Sequence, residues 1–119
     1  HQFFYGYDLM QVILNHGFVH GNLNFFHYIE NQHTLFSLAN LKPPGGFNLN
    51  EMGSFKTNGL CLFLQPYRFP EPEIIFDQML IMAEKLTEDL NGILEDEHHH
   101  LLTPERANYW RSFLQVSES

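Results

Sequence analysis

Thr34-Leu35-Phe36-Ser37-Leu38-Ala39-Asn40-Leu41 runs straight into Lys42-Pro43-Pro44-Gly45-Gly46. The first eight residues read as a β-strand, and the proline–glycine run ends it sharply. Side chains alternate along a strand, which predicts Phe36 and Leu38 on one side and Leu35, Ala39 and Leu41 on the other. Ser37 interrupts an otherwise apolar stretch from Leu35 to Ala39. Such a strand is apolar on both faces, yet the chain supplies few helices to cover two faces. One face is therefore read as core and the other as a shallow apolar surface kept for a partner.

Working outward, Gly21-Asn22 is a turn signal, and Leu23 to Ile29 reads as the preceding strand. Its alternation predicts Leu23, Phe25, His27 and Ile29 on one side and Asn24, Phe26 and Tyr28 on the other. Glu30-Asn31-Gln32-His33 has the length and polarity of a hairpin loop, so the two strands pair antiparallel. Downstream, Lys42 to Gly59 is a long irregular connection that Phe47, Met52 and Phe55 pin to the body. Leu60-Cys61-Leu62-Phe63-Leu64-Gln65 is a third strand, with the three leucines inward and Cys61, Phe63 and Gln65 turned away.

The helices frame these strands. Tyr7 to His16 fits a first helix with Gly17 at its C-terminal cap. Ile74 to Leu90 is the clearest helix, with Phe76, Met79, Leu80, Ala83, Leu86 and Leu90 in one stripe and Asp77, Glu84, Lys85 and Glu88 solvated. Asn91-Gly92 stops it, and Ile93 to Glu97 reads as a charged edge strand, its acids a solvated edge. Thr103-Pro104-Glu105 carries the N-cap, first-position proline and early acid of a third helix, along which Ala107, Trp110 and Leu114 pack inward. Strands joined by loops favour an antiparallel sheet with the helices on one side, an α+β fold. The uncovered side would present Leu23, Phe25, Leu35, Ala39, Leu41, Cys61 and Phe63 together, a patch of the kind that marks interaction sites.

The 119 residues make one domain, residues 1–119, and are 44% hydrophobic and 15% aromatic, which excludes a disordered chain. The formal net charge is −8, and from Glu71 to Glu97 only Lys85 opposes the acids. That balance repels phosphate backbones and argues against nucleic-acid binding and anionic membrane surfaces. A lone cysteine, Cys61, forms no internal disulfide, and a reducing cytoplasm is the simplest setting for it. No apolar run approaches the roughly 20 residues of a spanning helix. The abrupt apolar start at His1-Gln2-Phe3-Phe4 reads as that of an excised fragment.

Chemical motifs are few. His98-His99-His100 follows a strand, where neighbours point to opposite faces, and His20, His27 and His33 have no ligand spacing; neither a metal nor a cofactor is expected. Cys61 lies mid-strand among apolar residues without an activating cation, so packing or groove lining is its expected role. The glycine-rich Lys42–Gly46 run opens no helix and lacks the Lys-Ser/Thr of a phosphate loop.

The blocks Leu35-Phe36-Ser37-Leu38-Ala39-Asn40 and Lys42-Pro43-Pro44-Gly45-Gly46-Phe47 resemble the C-terminal domain of the bacterial cell division protein ZipA. So do Gly21 to His27, Thr57 to Gln65, and Leu101-Leu102-Thr103-Pro104-Glu105, and the spacing between blocks also fits. The resemblance implies a split β-α-β fold, with three helices on one face of a six-stranded antiparallel sheet and the other face open. It implies a non-enzymatic adaptor that binds the C-terminal tail of the tubulin-like GTPase FtsZ on that open face. The family's domain is tied to the cytoplasmic face of the inner membrane by an N-terminal transmembrane helix and linker, which would belong to a parent chain. Carried over by position, the peptide site comprises Leu23, Phe25, Ala39, Leu41, Cys61 and Phe63. At the rim the family has a lysine where Pro43 falls, and Lys42 stands one position earlier. The family also begins with a strand that this chain lacks, so a five-stranded sheet with an unsatisfied edge is expected. A different class of function, a small α+β enzyme or ligand carrier, would use a pocket between the sheet and the 42–59 loop.

Overall fold

The computed structural model describes residues 3–96, 98–102 and 112–118. In chain order the elements are β1 (Phe4–Tyr5), α1 (Gly6–Asn15), β2 (Val19–His20), β3 (Phe26–Glu30) and β4 (His33–Asn40). After the long connection come β5 (Lys56–Thr57), β6 (Gly59–Phe63), α2 (Pro72–Leu90), β7 (Gly92–Glu95) and β8 (Phe113–Glu118). The fold is mixed helix and antiparallel sheet. Six strands form the main sheet in the order β2-β3-β4-β6-β8-β7, and β1 and β5 pair separately.

Local chemistry explains the joints. Asn31 and Gln32 take positive φ of 51° and 68° and make a two-residue turn, with Glu30 opposite His33 on the flanking strands. Asn91 ends α2 in the left-handed conformation, as the Asn-Gly signal predicts. Gly17, at φ 90°, does the same one residue beyond the cap of α1.

Alternation accounts for most of the inner face of the sheet. Phe26, Phe36, Leu38, Leu60, Leu62, Leu64, Leu114 and Val116 join Leu9 and Ile13 of α1 and Phe76, Met79, Ala83 and Leu86 of α2 in one core. Burying each large apolar side chain is worth roughly 1.5–3 kcal/mol, so this layer carries the fold. Phe47 and Met52 of the long connection are buried and Phe55 is partly so, in keeping with the pinning role read from sequence.

Three expectations are corrected. The main sheet has six strands, not five: residues 19–20 add a short edge strand beside β3, and residues 113–118 form a strand between β6 and β7, with Leu62 opposite Leu114 and Leu94 opposite Val116. Leu114 is buried as expected, but on this strand and not on a helix. The helix expected from Thr103, with Ala107 and Trp110, lies outside the described residues. The acids after β7 are also not all solvated. Asp96 is fully buried, and its Oδ1 accepts hydrogen bonds from the backbone N–H of His98 and His100 at 2.8 and 3.0 Å. A carboxylate placed to cap a turn repays its burial through those charge-assisted bonds.

Candidate functional site

The sheet face turned away from α1 and α2 carries Phe25, His27, Ser37, Ala39, Cys61 and Phe63. The strand register sets Ala39 opposite Cys61 and Ser37 opposite Phe63, so four of these residues form a compact square. Phe25, one residue before β3, turns its ring edge-on to Phe63, with centroids 5.5 Å apart and planes at 83°. Both rings are half-buried. They stand over small residues, since Ala39 is 5% and Cys61 8% exposed.

Leu23 is placed otherwise than predicted. It lies on a short 3-10 turn, Asn22–Asn24, with φ 60° and ψ 17°, and not on a strand. Asn24 is also left-handed, at φ 62°. The turn thrusts Leu23 outward, 80% exposed, beside the Phe25 ring instead of in line with it. A left-handed leucine is costly, and it persists because its surroundings hold the backbone. The Phe47 N–H donates to the Asn24 carbonyl at 2.8 Å, and a Cβ on Gly46 would lie 2.9 Å from the Leu23 carbonyl oxygen. Only glycine permits that approach.

The rim loop after β4 also deviates from the simple open-face picture. Gly45, at φ 97°, brings the loop over Ala39, and a Cβ there would lie 3.7 Å from both the Ala39 Cβ and Phe25 Cε1. Ala39 is therefore a covered floor residue. Leu35, also expected on the open face, is buried. Leu41 is half-buried and lies across Gly59, whose missing side chain makes room for it. Lys42 and Pro43 are exposed at the rim, with the Lys42 ammonium 5.8 Å from the centroid of Phe55.

Two recesses flank the aromatic pair. One of about 250 Å³ opens on the sheet face between Leu23, Phe25, His27, Phe63 and the Gln65–Phe69 segment. The other, about 590 Å³, lies between the Leu23–Phe25 segment and the 42–55 connection, lined by Pro43, Phe47 and Phe55. Leu23 and Phe25 line both. Of the residues singled out from sequence, Leu23, Phe25, Lys42, Pro43 and Phe63 therefore line recesses, Ala39 and Cys61 form the floor, and Leu41 closes one side.

The sequence reading passed over the polar residues that hold this arrangement. Asn40, buried, donates from Nδ2 to the Gly46 carbonyl at 2.8 Å and accepts at Oδ1 from the Lys42 N–H at 2.7 Å. It thus ties both ends of the rim loop to β4. A buried Asn next to a Pro-Gly run is the signal that could have revealed it, because such a side chain must find partners. Cys61 is chemically quiet. Burial pushes its thiol from the ordinary 9.0 up to about 11, against the opposing influence of a hydrogen bond with the Ala39 backbone. It is a neutral thiol at physiological pH and no nucleophile. Among the described residues no three His, Cys, Asp or Glu side chains are grouped to hold a metal. Nor is any helix of theirs long and apolar enough to cross a membrane.

Comparison with known proteins points the same way as this geometry. The family model described as ZipA, C-terminal FtsZ-binding domain, matches residues 1–112. The chain is 37% identical over 112 residues to the cell division protein ZipA of Pseudomonas aeruginosa, covering 91% of this chain and 39% of the relative. It is 33% identical over 116 residues to ZipA of Hamiltonella defensa, covering 94% and 42%, and 36% identical over 112 residues to ZipA of Stutzerimonas stutzeri, covering 91% and 41%. The chain spans about two-fifths of the length of the curated relatives it matches.

Proposed function

We propose, from the premise that this chain belongs to the family of ZipA C-terminal FtsZ-binding domains, that it is a non-enzymatic cell division adaptor whose sheet face turned away from the helices takes up the C-terminal tail of FtsZ. Its 119 residues act as one domain, with the family's split β-α-β arrangement. A longer parent chain, anchored in the inner membrane, would use this domain to link the division ring to the cytoplasmic side of that membrane.

The observation that carries the reading is the Phe25–Phe63 pair. Two aromatic rings in edge-to-face contact stand partly exposed above a floor of small residues, both lining one recess and Phe25 a second. Aromatic anchors over a shaped hollow are what a short apolar peptide needs, because a few such contacts dominate binding energy. Leu23 extends the ridge, Leu41 bounds it, and Lys42 and Pro43 form a rim able to meet polar groups of the peptide. The protein's strong negative charge offers little general attraction, so apolar burial drives association.

Titrating the chain with a synthetic peptide of the FtsZ tail tests this. Saturable binding on the micromolar scale, about −8 kcal/mol, with a negative heat-capacity change is the expected result. Absence of heat and of chemical-shift change at Phe25, Cys61 and Phe63 would refute it. One observation favours a second reading, that of a ligand carrier: the cleft of about 590 Å³ lies between the sheet and the 42–55 connection, within the size range of small-molecule sites. Shifts confined to Phe47, Asn48 and Phe55 on addition of small aromatic compounds, with no response to the peptide, would favour that alternative.

A further inference from the structure

We propose that His27 is the positioning residue of the peptide site, holding Leu23 in its binding position by bridging the Asn22–Asn24 turn to the sheet floor. The proposal rests on the tail-binding reading and adds to it a residue that the apolar inventory omits. His27 sits on β3 directly opposite Ser37 of β4. Its Nδ1 lies 2.7 Å from the Ser37 hydroxyl and its Nε2 3.1 Å from the carbonyl oxygen of Asn22. A carbonyl only accepts, so Nε2 carries a hydrogen, and in the neutral ring Nδ1 accepts from the serine. One imidazole thus joins the first residue of the turn to a buried hydroxyl on the floor.

The turn needs such a tie. Leu23 and Asn24 both hold left-handed backbone that leucine does not adopt freely. The Phe47 N–H bond to the Asn24 carbonyl secures the far end of the turn, and His20 Nε2 in turn donates to the Phe47 carbonyl at 2.8 Å. At the near end His27 adds a side-chain tie to the backbone bonds from the Gly21 N–H to the Phe25 carbonyl and from the Asn24 N–H to the Gly21 carbonyl, both 3.0 Å. Without it the Asn22 carbonyl keeps, among the described residues, one bond, the one that closes the 3-10 turn from the Phe25 N–H at 3.1 Å. Leu23 would then leave its place beside Phe25 for part of the time. A peptide that needs Leu23 there binds only the fraction of molecules in which it is present.

Calorimetric titration of the FtsZ-tail peptide into His27→Ala, His27→Gln, Ser37→Ala, Leu23→Ala and the His27→Ala/Leu23→Ala pair tests the proposal. His27→Ala should bind about five- to tenfold more weakly, the loss of roughly one to two hydrogen bonds' worth of organisation. His27→Gln, whose amide N–H can still reach the Asn22 carbonyl, should recover most of that loss. Ser37→Ala, which leaves the ring in place without its floor contact, should fall about two- to threefold. In the Leu23→Ala background the His27→Ala change should cost less than about twofold, because coupling through Leu23 has gone. Amide hydrogen exchange at Phe25 should quicken in His27→Ala while Leu60 and Leu62 keep their protection. Undiminished binding by a folded His27→Ala, or an equal loss in both backgrounds, overturns the proposal alone. Failure of the unmodified chain to bind the tail overturns the reading beneath it.

Discussion

Phe63→Ala should weaken binding of the FtsZ tail by about 1 kcal/mol, a factor of roughly five. The figure follows from the free protein's geometry. Phe63 is partly buried, with at most about a third of its surface exposed, so up to about a third of the roughly 1.5–3 kcal/mol available from burying a phenylalanine remains for the peptide to collect, and loss of a defined ring edge adds to it. The buried part, together with the edge-to-face contact to Phe25, supports the fold itself by about 1–2 kcal/mol. Two measurements separate these contributions. Urea titration should show a lower midpoint with an unchanged slope, and calorimetry at a temperature where the variant is fully folded should show the affinity loss. Phe25→Ala should behave alike, and the double variant should lose less than the sum, because the rings share one contact. Ile81→Ala, an exposed position on α2 behind the sheet, should bind within about 1.5-fold of the unmodified chain. A folded Phe63→Ala that binds within twofold would refute the claim that the aromatic pair anchors the tail.

Asn40→Ala should lower stability by roughly 2–3 kcal/mol and speed amide exchange at Lys42, because it strips two bonds from the rim loop and leaves the Gly46 carbonyl without its donor. Gly6→Ala should cost about 2–3 kcal/mol, read as a fall in melting temperature, since the added Cβ would collide with the Met52 carbonyl. Cys61 should resist alkylation at pH 8 in the folded chain and react readily in denaturant. Its raised folded value of about 11 favours the neutral thiol, so its contribution, on the order of 2 kcal/mol, is complete below pH 9 and is lost as pH rises towards 11. Cys61→Ala should flatten the fall of stability with pH over that interval.

Legibility in the sequence followed the strength of the physical signal. Strands β4 and β6 and helix α2 carry long, uninterrupted patterns, and their inward residues Phe36, Leu38, Leu62, Met79 and Leu86 are buried where periodicity places them. Strand β8 was missed although Leu114 and Val116 alternate correctly, because the Thr103-Pro104 helix start extends a helical reading over a segment only six residues long. Strands β1, β2 and β5 are two residues each, too short for any period to register. At the site, Phe25, Ala39, Cys61 and Phe63 follow from alternation alone. Leu23 does not, since its position depends on Gly46, Phe47 and His27, three residues brought there by tertiary structure. Asn40 and Ser37 look like interruptions in an apolar strand and become intelligible only once their partners are seen.

The position of β8 constrains how the molecule can be made. Among the described residues β8 is the latest strand in sequence, yet it lies between two that precede it, and β7 has β8 alone beside it in the main sheet. Helix α2 and the β3–β4 hairpin can assemble while synthesis continues, but β6 and β7 must wait, their facing backbone groups bonded to water, until residue 118 has emerged. A chain stalled a few residues short of that point would present two open seams at once, each a template for a stray strand. The growing protein is therefore exposed to misassembly until residues 113–118 are in place.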